Sequence, residues 1–251
     1  RHKLYVSFCS NKGGTILLLR SSTWATILFL LVYFFSGGSS GAAPPSRPDP
    51  AISGNPAAAL QGKVIVVDPG HGGSNGGAVG ASGKSLEKTN ALFVALDLKK
   101  MLEQAGAKVI MTRDRDISPE FDGLDQLESR VTIANQSGAD IFVSIHNDAN
   151  LDRNIVGTTT YYSGSIESRR LAESIQNQLV KSLGSHNQGV KSSPFYVLRN
   201  TRMPAVLVEV GFISNYWEEK RLADPAYRYK ASQGIYAGLL NYFSTPGFSS
   251  R

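Results

Sequence analysis

Three short runs rich in Val and Ile each deliver a residue that can do chemistry. Val64-Ile65-Val66-Val67 leads into Asp68-Pro69-Gly70-His71, Ile141-Phe142-Val143-Ser144-Ile145 ends on His146, and Ala205-Val206-Leu207-Val208 is interrupted by Glu209. Runs that are apolar at successive rather than alternate positions suit strands covered on both faces, as in parallel sheets. Open sheets of that kind bind ligands beyond the carboxyl ends of their strands. The same pattern therefore limits the fold and places a site. A fourth segment, Ser85-Leu86-Glu87-Lys88-Thr89-Asn90, adds a second glutamate. Two histidines and one glutamate suit a zinc ion with an open position, with the other glutamate left over as a base.

Between these runs the pattern alternates. Residues 87–104 read as a helix: Leu92, Ala95 and Leu96, then Leu98, Met101 and Leu102, follow i, i+3, i+4 spacing, and Gly106 stops it. Helices are also expected at 125–136, 167–183 and 227–243, and strands at 64–67, 109–112, 141–145, 158–162, 196–198 and 206–210. Strands alternating with helices predict an α/β fold, a single domain whose mainly parallel, twisted sheet of about six strands is flanked by helices on both faces. The expected domain covers residues 62–246, with a short tail at 247–251.

The N-terminal part is of another kind. Residues 24–35 (WATILFLLVYFF) form an apolar run preceded by Lys3, Lys12 and Arg20 and followed by small residues, with Ser40-Gly41-Ala42 offering a cleavage site. That is the pattern of an export signal. Counting from Thr15 the run nearly reaches the length of a spanning helix, so residues 1–42 are expected to be a cleaved signal peptide or a retained signal anchor, with membrane attachment in the second case. Residues 43–61, rich in Gly, Ser, Ala and Pro, read as a linker. The expected location is outside the cytoplasm, in periplasm or cell wall. Five of the 26 Lys/Arg but only one of the 20 Asp/Glu fall in residues 1–50, so four of the six net positive charges lie there. The basic balance is thus no argument for a nucleic-acid partner. The single cysteine, Cys9, excludes an internal disulfide and a thiolate zinc site in the domain. Any zinc must use histidine and carboxylate, the style of catalytic rather than structural sites.

Each candidate has a plain alternative. His71 follows a turn in which glycines let the backbone approach an ion closely, yet alone it could be an ordinary loop histidine. Asp68 is placed to hydrogen-bond the far nitrogen of a ligand histidine. His146 could be a satisfied structural histidine. Glu87, in the first turn of a helix, could serve only the helix dipole, and spacing does not prefer it to Glu103 or Glu128. Glu209 is harder to explain without a role, because a carboxylate inside a buried run needs a cation or a function.

Together, VVDPGHGG, the glutamate of SLEKTN, Thr112-Arg113-Asp114, the SR and AN of 129–135, SIHND and PAVLVEVGFISN resemble, in order and over residues 63–243, the zinc-dependent N-acetylmuramoyl-L-alanine amidases of bacterial cell walls (the amidase-3 group). The resemblance implies that His71, Glu87 and His146 hold Zn2+ and that Glu209 is the catalytic acid/base. It implies peptidoglycan as the substrate, cut between N-acetylmuramic acid and L-alanine in wall remodelling, cell separation or lysis. Some members carry a long helical insertion that blocks the site; the few residues between His146 and the strand at Thr158 leave no room for one. A monomer without a nucleic-acid partner is expected. Residue chemistry alone leaves open a zinc peptidase acting on wall peptides, and a non-catalytic wall-binding protein. Arg113 and Arg199 could grip a stem-peptide carboxylate but read first as surface ion pairs. Tyr161, Tyr162 and Tyr196 could line a groove or simply pack.

Overall fold

The computed structural model describes residues 56–119 and 123–245. The expected export segment at 1–42, the expected linker up to residue 55 and the tail at 247–251 lie outside these residues. The strands are β1 (Val64–Pro69), β2 (Lys108–Met111), β3 (Ile141–Asp148), β4 (Thr158–Tyr162), β5 (Asn187–Ser192) and β6 (Ala205–Phe212). The helices are α1 (Glu87–Gln104), α2 (Gln126–Gln136), α3 (Ile166–Leu183), α4 (Tyr196–Asn200), α5 (Tyr216–Ala223) and α6 (Pro225–Ser244).

The six strands make one sheet in the order β2-β1-β3-β6-β4-β5. Only the β4–β6 pair is antiparallel. The expected α/β architecture, a mainly parallel six-stranded sheet with helices on both faces, is what forms. β6 lies between β3 and β4 and is buried at all eight positions, which explains a sequence that is apolar apart from Glu209.

Side chains alternate across a strand, and here the alternation divides two cores. Ile65, Val67, Ile141, Val143, Ile145, Val206, Val208 and Val210 pack with α1, α3 and α6. On the other face Val66, Phe142, Ala205 and Leu207 meet Val131 and Ala134 of α2 and Val197 and Leu198 of α4. Fully burying each such side chain stabilises the fold by roughly 1.5–3 kcal/mol before chain entropy is counted. Continuing the second series by twos reaches Asp68 on β1, Ser144 and His146 on β3, and Glu209 on β6. The apolar layer under α2 and α4 thus gives way, at the carboxyl ends of the central strands, to a polar row.

The structure corrects several expectations. Residues 196–198, expected as a strand, belong to the short helix α4. Val197 and Leu198 are buried together while their neighbours Tyr196 and Arg199 are exposed, a helical rather than alternating pattern. The turn is closed by Leu198 and Arg199 amides donating to the Phe195 carbonyl at 3.0 and 2.9 Å. β5 and α5 are additions to the expected elements. β5 (NQGVKS) is an edge strand with one apolar residue, so it carries little burial signal. In the stretch read as linker, Pro56–Leu60 forms a 3-10 turn and Leu60 is fully buried in the larger core. On α1 the buried stripe is Ala91, Val94, Ala95, Leu98 and Leu102, rotated from the expected one, with Leu92 and Leu96 only half-buried. Among the described residues no helix is long and apolar enough to cross a membrane.

Candidate metal centre

The polar row becomes a site because three elements converge on it. His71 stands just past β1, Glu87 is the first residue of α1, and His146 projects from β3. The Glu87 carboxylate joins both rings: Oε2 is 3.0 Å from His71 Nε2, and Oε1 is 2.7 Å from His146 Nδ1. The same two oxygens accept backbone N–H groups from Ala78 at 2.8 Å and Asn147 at 3.1 Å, which fixes the carboxylate's orientation. Glu87 is therefore far more than a dipole partner for α1. Burial would raise its carboxyl, but bonds from His146 and His71 hold it well below the usual range. Burial would lower His71, and the bond to Glu87 outweighs it, so that imidazole is raised.

The backbone is shaped around these groups. His71 has a left-handed conformation, φ 59°, which costs a non-glycine residue roughly 1–2 kcal/mol. Gly77, also left-handed at φ 69°, passes so close that a Cβ there would lie 2.6 Å from Glu87 Oε2. A Cβ on Gly70 would enter the His146 ring. Nothing in the sequence marks Asn75, yet its Oδ1 lies 3.0 Å from His71 Nδ1 and accepts the Gly77 amide at 3.1 Å.

Two buried arginines hold the turn that presents His71. Arg113, 3% exposed, donates to the carbonyls of Pro69 (3.0 Å), Gly70 (2.7 Å) and Lys88 (2.8 Å). It is thus neither a surface ion pair nor a hand for substrate. Burial, then the neighbouring Arg130 guanidinium, lower its pKa to about 10. Arg130, 2% exposed, donates to the Pro69 carbonyl at 2.8 Å and the His71 carbonyl at 2.5 Å and pairs with Asp68. Asp68 does not orient a histidine. Its carboxylate takes Arg130, Thr112 Oγ1 (2.6 Å) and Ser144 Oγ (2.6 Å). Burial raises the Asp68 carboxyl, but Arg130 and the two hydroxyls more than reverse this and hold it below its ordinary value. Histidine orientation passes to Asn75 because Asp68, on the second face of β1, is taken up by the arginine beneath the turn.

Glu209 completes the arrangement. It is 8% exposed and its Oε2 has no hydrogen-bond partner among the described residues. Burial, followed by the charges of Glu87 and Asp148, raises its carboxyl well above the usual range. With His71, Glu87 and His146 it lines one cleft of about 380 Å³, whose far wall includes Phe195 and Tyr196. Of the three tyrosines raised from the sequence, Tyr196 lines this cleft, Tyr161 packs edge-to-face on Phe195 with centroids 5.1 Å apart, and Tyr162 packs against the larger core. Arg199 is exposed on α4.

One donor atom each from His71, Glu87 and His146 lie within 4.8 Å of one another, so the trio could hold a metal ion. Two nitrogens and a carboxylate anchored by backbone N–H groups fit a divalent cation with positions left open. The unpartnered Glu209 oxygen in the same cleft is what a proton-transferring group beside such an ion requires. All four residues picked out in the sequence are thus brought together. The arginine clamp and Asn75 escape a reading of the sequence; the signal for Arg130 is a charged residue between Ser129 and Val131 on the inward stripe of a helix.

Residues 65–241 match the amidase-3 family model, described as N-acetylmuramoyl-L-alanine amidase. The chain is 39% identical over 198 residues to the germination-specific N-acetylmuramoyl-L-alanine amidase of Bacillus subtilis, covering 75% of this chain and 83% of that protein. It is 37% identical over 201 residues to N-acetylmuramoyl-L-alanine amidase LytC of the same organism, but spans only 39% of LytC's length. Among solved structures it resembles the catalytic domain of CwlV, an N-acetylmuramoyl-L-alanine amidase from Bacillus (Paenibacillus) polymyxa var. colistinus. There the TM-score is 0.67 and the identity 39%, over 72% of this chain and 97% of that one.

Proposed function

Since this chain belongs to the N-acetylmuramoyl-L-alanine amidase family, we propose that it is a zinc-dependent hydrolase that cuts the amide between N-acetylmuramic acid and the L-alanine of the peptidoglycan stem. The observation that carries this reading is the grouping of His71, Glu87 and His146 in one cleft with the buried, unpartnered carboxyl of Glu209.

His71, Glu87 and His146 would hold the zinc. When bound, zinc supplies Lewis acidity, polarising the scissile carbonyl and making water acidic enough to be deprotonated near neutral pH. Glu209 takes the proton of the attacking water and returns it to the leaving amine nitrogen. Its burial suits both steps, because an exchangeable proton is held where bulk water does not compete for it. Asn75, Arg113 and Arg130 keep the His71 turn in place, so little reorganisation is needed as substrate binds. The export pattern of residues 1–42 supports action outside the cytoplasm, on the wall.

The test uses defined fragments. Zinc-loaded protein is offered an N-acetylmuramyl tripeptide and the same tripeptide without its sugar. Release of the intact tripeptide from the first, with no cut within either peptide, is expected. Cleavage inside the sugar-free peptide would instead identify a peptidase.

A further inference from the structure

A second hollow, also about 380 Å³, adjoins the cleft. The two share Asp148 as a common wall, and the hollow's Tyr161 packs edge-to-face on the cleft's Phe195. Beyond Tyr161 it is lined by Gln188 and Lys191 of β5 and by His186 just before that strand. Nothing in the hydrolytic step above uses this hollow.

Register places Lys191 on the working face of the sheet. Lys191 pairs with Tyr161 across β5–β4, and Tyr161 pairs with Leu207 across β4–β6. Leu207 is two residues before Glu209 and lines the cleft with it, so all four side chains leave the sheet on the same side. In strand order the residues on this face are His146 on β3, Glu209 on β6, Tyr161 on β4 and Lys191 on β5, with Tyr161 and Lys191 level with Leu207, two residues along β6 from Glu209. Among the described residues no ion pair engages Lys191.

This order gives the substrate a direction. If Glu209 protonates the leaving amine, the peptide attached to that amine lies on the β4–β5 side, away from the β1 turn. Two strand spacings sideways, about 10 Å, and two residues along the strand, about 7 Å, put the Glu209 and Lys191 backbones about 12 Å apart, which an extended peptide covers in roughly three to four residues. A flexible lysine side chain shortens the gap further. The second residue of a peptidoglycan stem is a glutamate joined through its side chain, whose main-chain carboxylate hangs free.

We infer that the hollow beside Tyr161 is the seat of the stem peptide, and that Lys191 there binds the free carboxylate of the second stem residue. The ligand is an acidic peptide, and Lys191 is a specificity-determining residue for carboxylate over carboxamide at that position. The inference rests on the amidase reading for its direction.

The test uses the full-length, zinc-loaded protein and its K191Q and K191R variants. Two muramyl-peptides are compared, one with D-glutamate and one with D-isoglutamine at the second position. The wild-type preference for the carboxylate substrate, as a ratio of kcat/KM, is expected to fall about tenfold in K191Q, mainly through KM, and to be largely kept in K191R. A second readout needs no turnover: calorimetric binding of the free stem peptide L-Ala-D-Glu-L-Lys should weaken by a similar factor in K191Q. Equal preference in wild type and K191Q, together with equal binding, overturns the inference. Lys191-dependent binding of the peptide by a protein that cleaves neither muramyl-peptide would support the peptide seat while overturning the amidase reading.

Discussion

Glu209 and His146 are register partners across the β3–β6 ladder. Partners on neighbouring strands project to the same face, so the pairing alone delivers a carboxyl beside an imidazole in the cleft. A slip of one residue would put Val208 or Val210 there instead and turn Glu209 into the larger core. The Glu209→Gln protein keeps the shape of that pairing. It is expected to bind zinc as the wild type does and to lose about 10²–10⁴-fold in turnover. Zinc content and hydrolysis rate measured on one preparation decide it; loss of metal with activity would make Glu209 a ligand rather than the proton carrier.

Glu87 should behave in the opposite way. Its carboxylate contacts both histidines and is tied down by two backbone amides. Glu87→Ala is expected to abolish stoichiometric zinc binding while the fold persists, read by metal analysis alongside circular dichroism. Full zinc occupancy in this variant would remove Glu87 from the ligand set.

Gly77→Ala tests the packing behind the site. The added Cβ would meet Glu87 Oε2 at 2.6 Å, on a backbone with φ 69° that alanine rarely adopts. Weaker zinc binding and a lower melting temperature are expected together, measured by competition with a chelator and by thermal unfolding. Unaltered zinc affinity would mean that the Gly70–Gly77 loop does not fix the carboxylate.

The Asp68–Arg130 pair beneath the His71 turn sets an acid limit to stability. The Asp68 carboxyl is held below its ordinary value in the folded protein. Its contribution is therefore complete above the unfolded carboxylate pKa of about 3.9 and is lost as pH falls through the lower folded value. Asp68→Asn leaves Arg130 buried without its partner, which is expected to cost about 3–5 kcal/mol at pH 7 in urea unfolding. Below pH ~4 the wild type and variant should converge. A constant gap down to low pH would contradict the assignment.

Much of this is legible in the sequence for a physical reason. The central strands are covered on both faces, so their apolar runs stand out, and a charged or metal-binding residue at the end of such a run is costly to bury unless it is paired or holds an ion. That makes His71, His146 and Glu209 visible. Glu87 needs the resemblance, because an acid in a first helical turn is already accounted for by the dipole. Edge strand β5 and short helix α4 are illegible because neither is long or apolar enough to show a period. Arg113 reads from the sequence as a surface charge, and Arg130 as one letter of a motif. Their partners, the carbonyls of Pro69, Gly70 and His71, come within reach only once the turn is folded.

The central claim is the identity of the bond that is cut. Purified peptidoglycan is incubated with the zinc-loaded protein, and the released products are analysed by mass and by their amino-terminal residue. Free stem peptides beginning with L-alanine, absent after chelation and restored by zinc, are the predicted result. Release of fragments cut within the stem, or none from a folded, zinc-loaded protein, would contradict it.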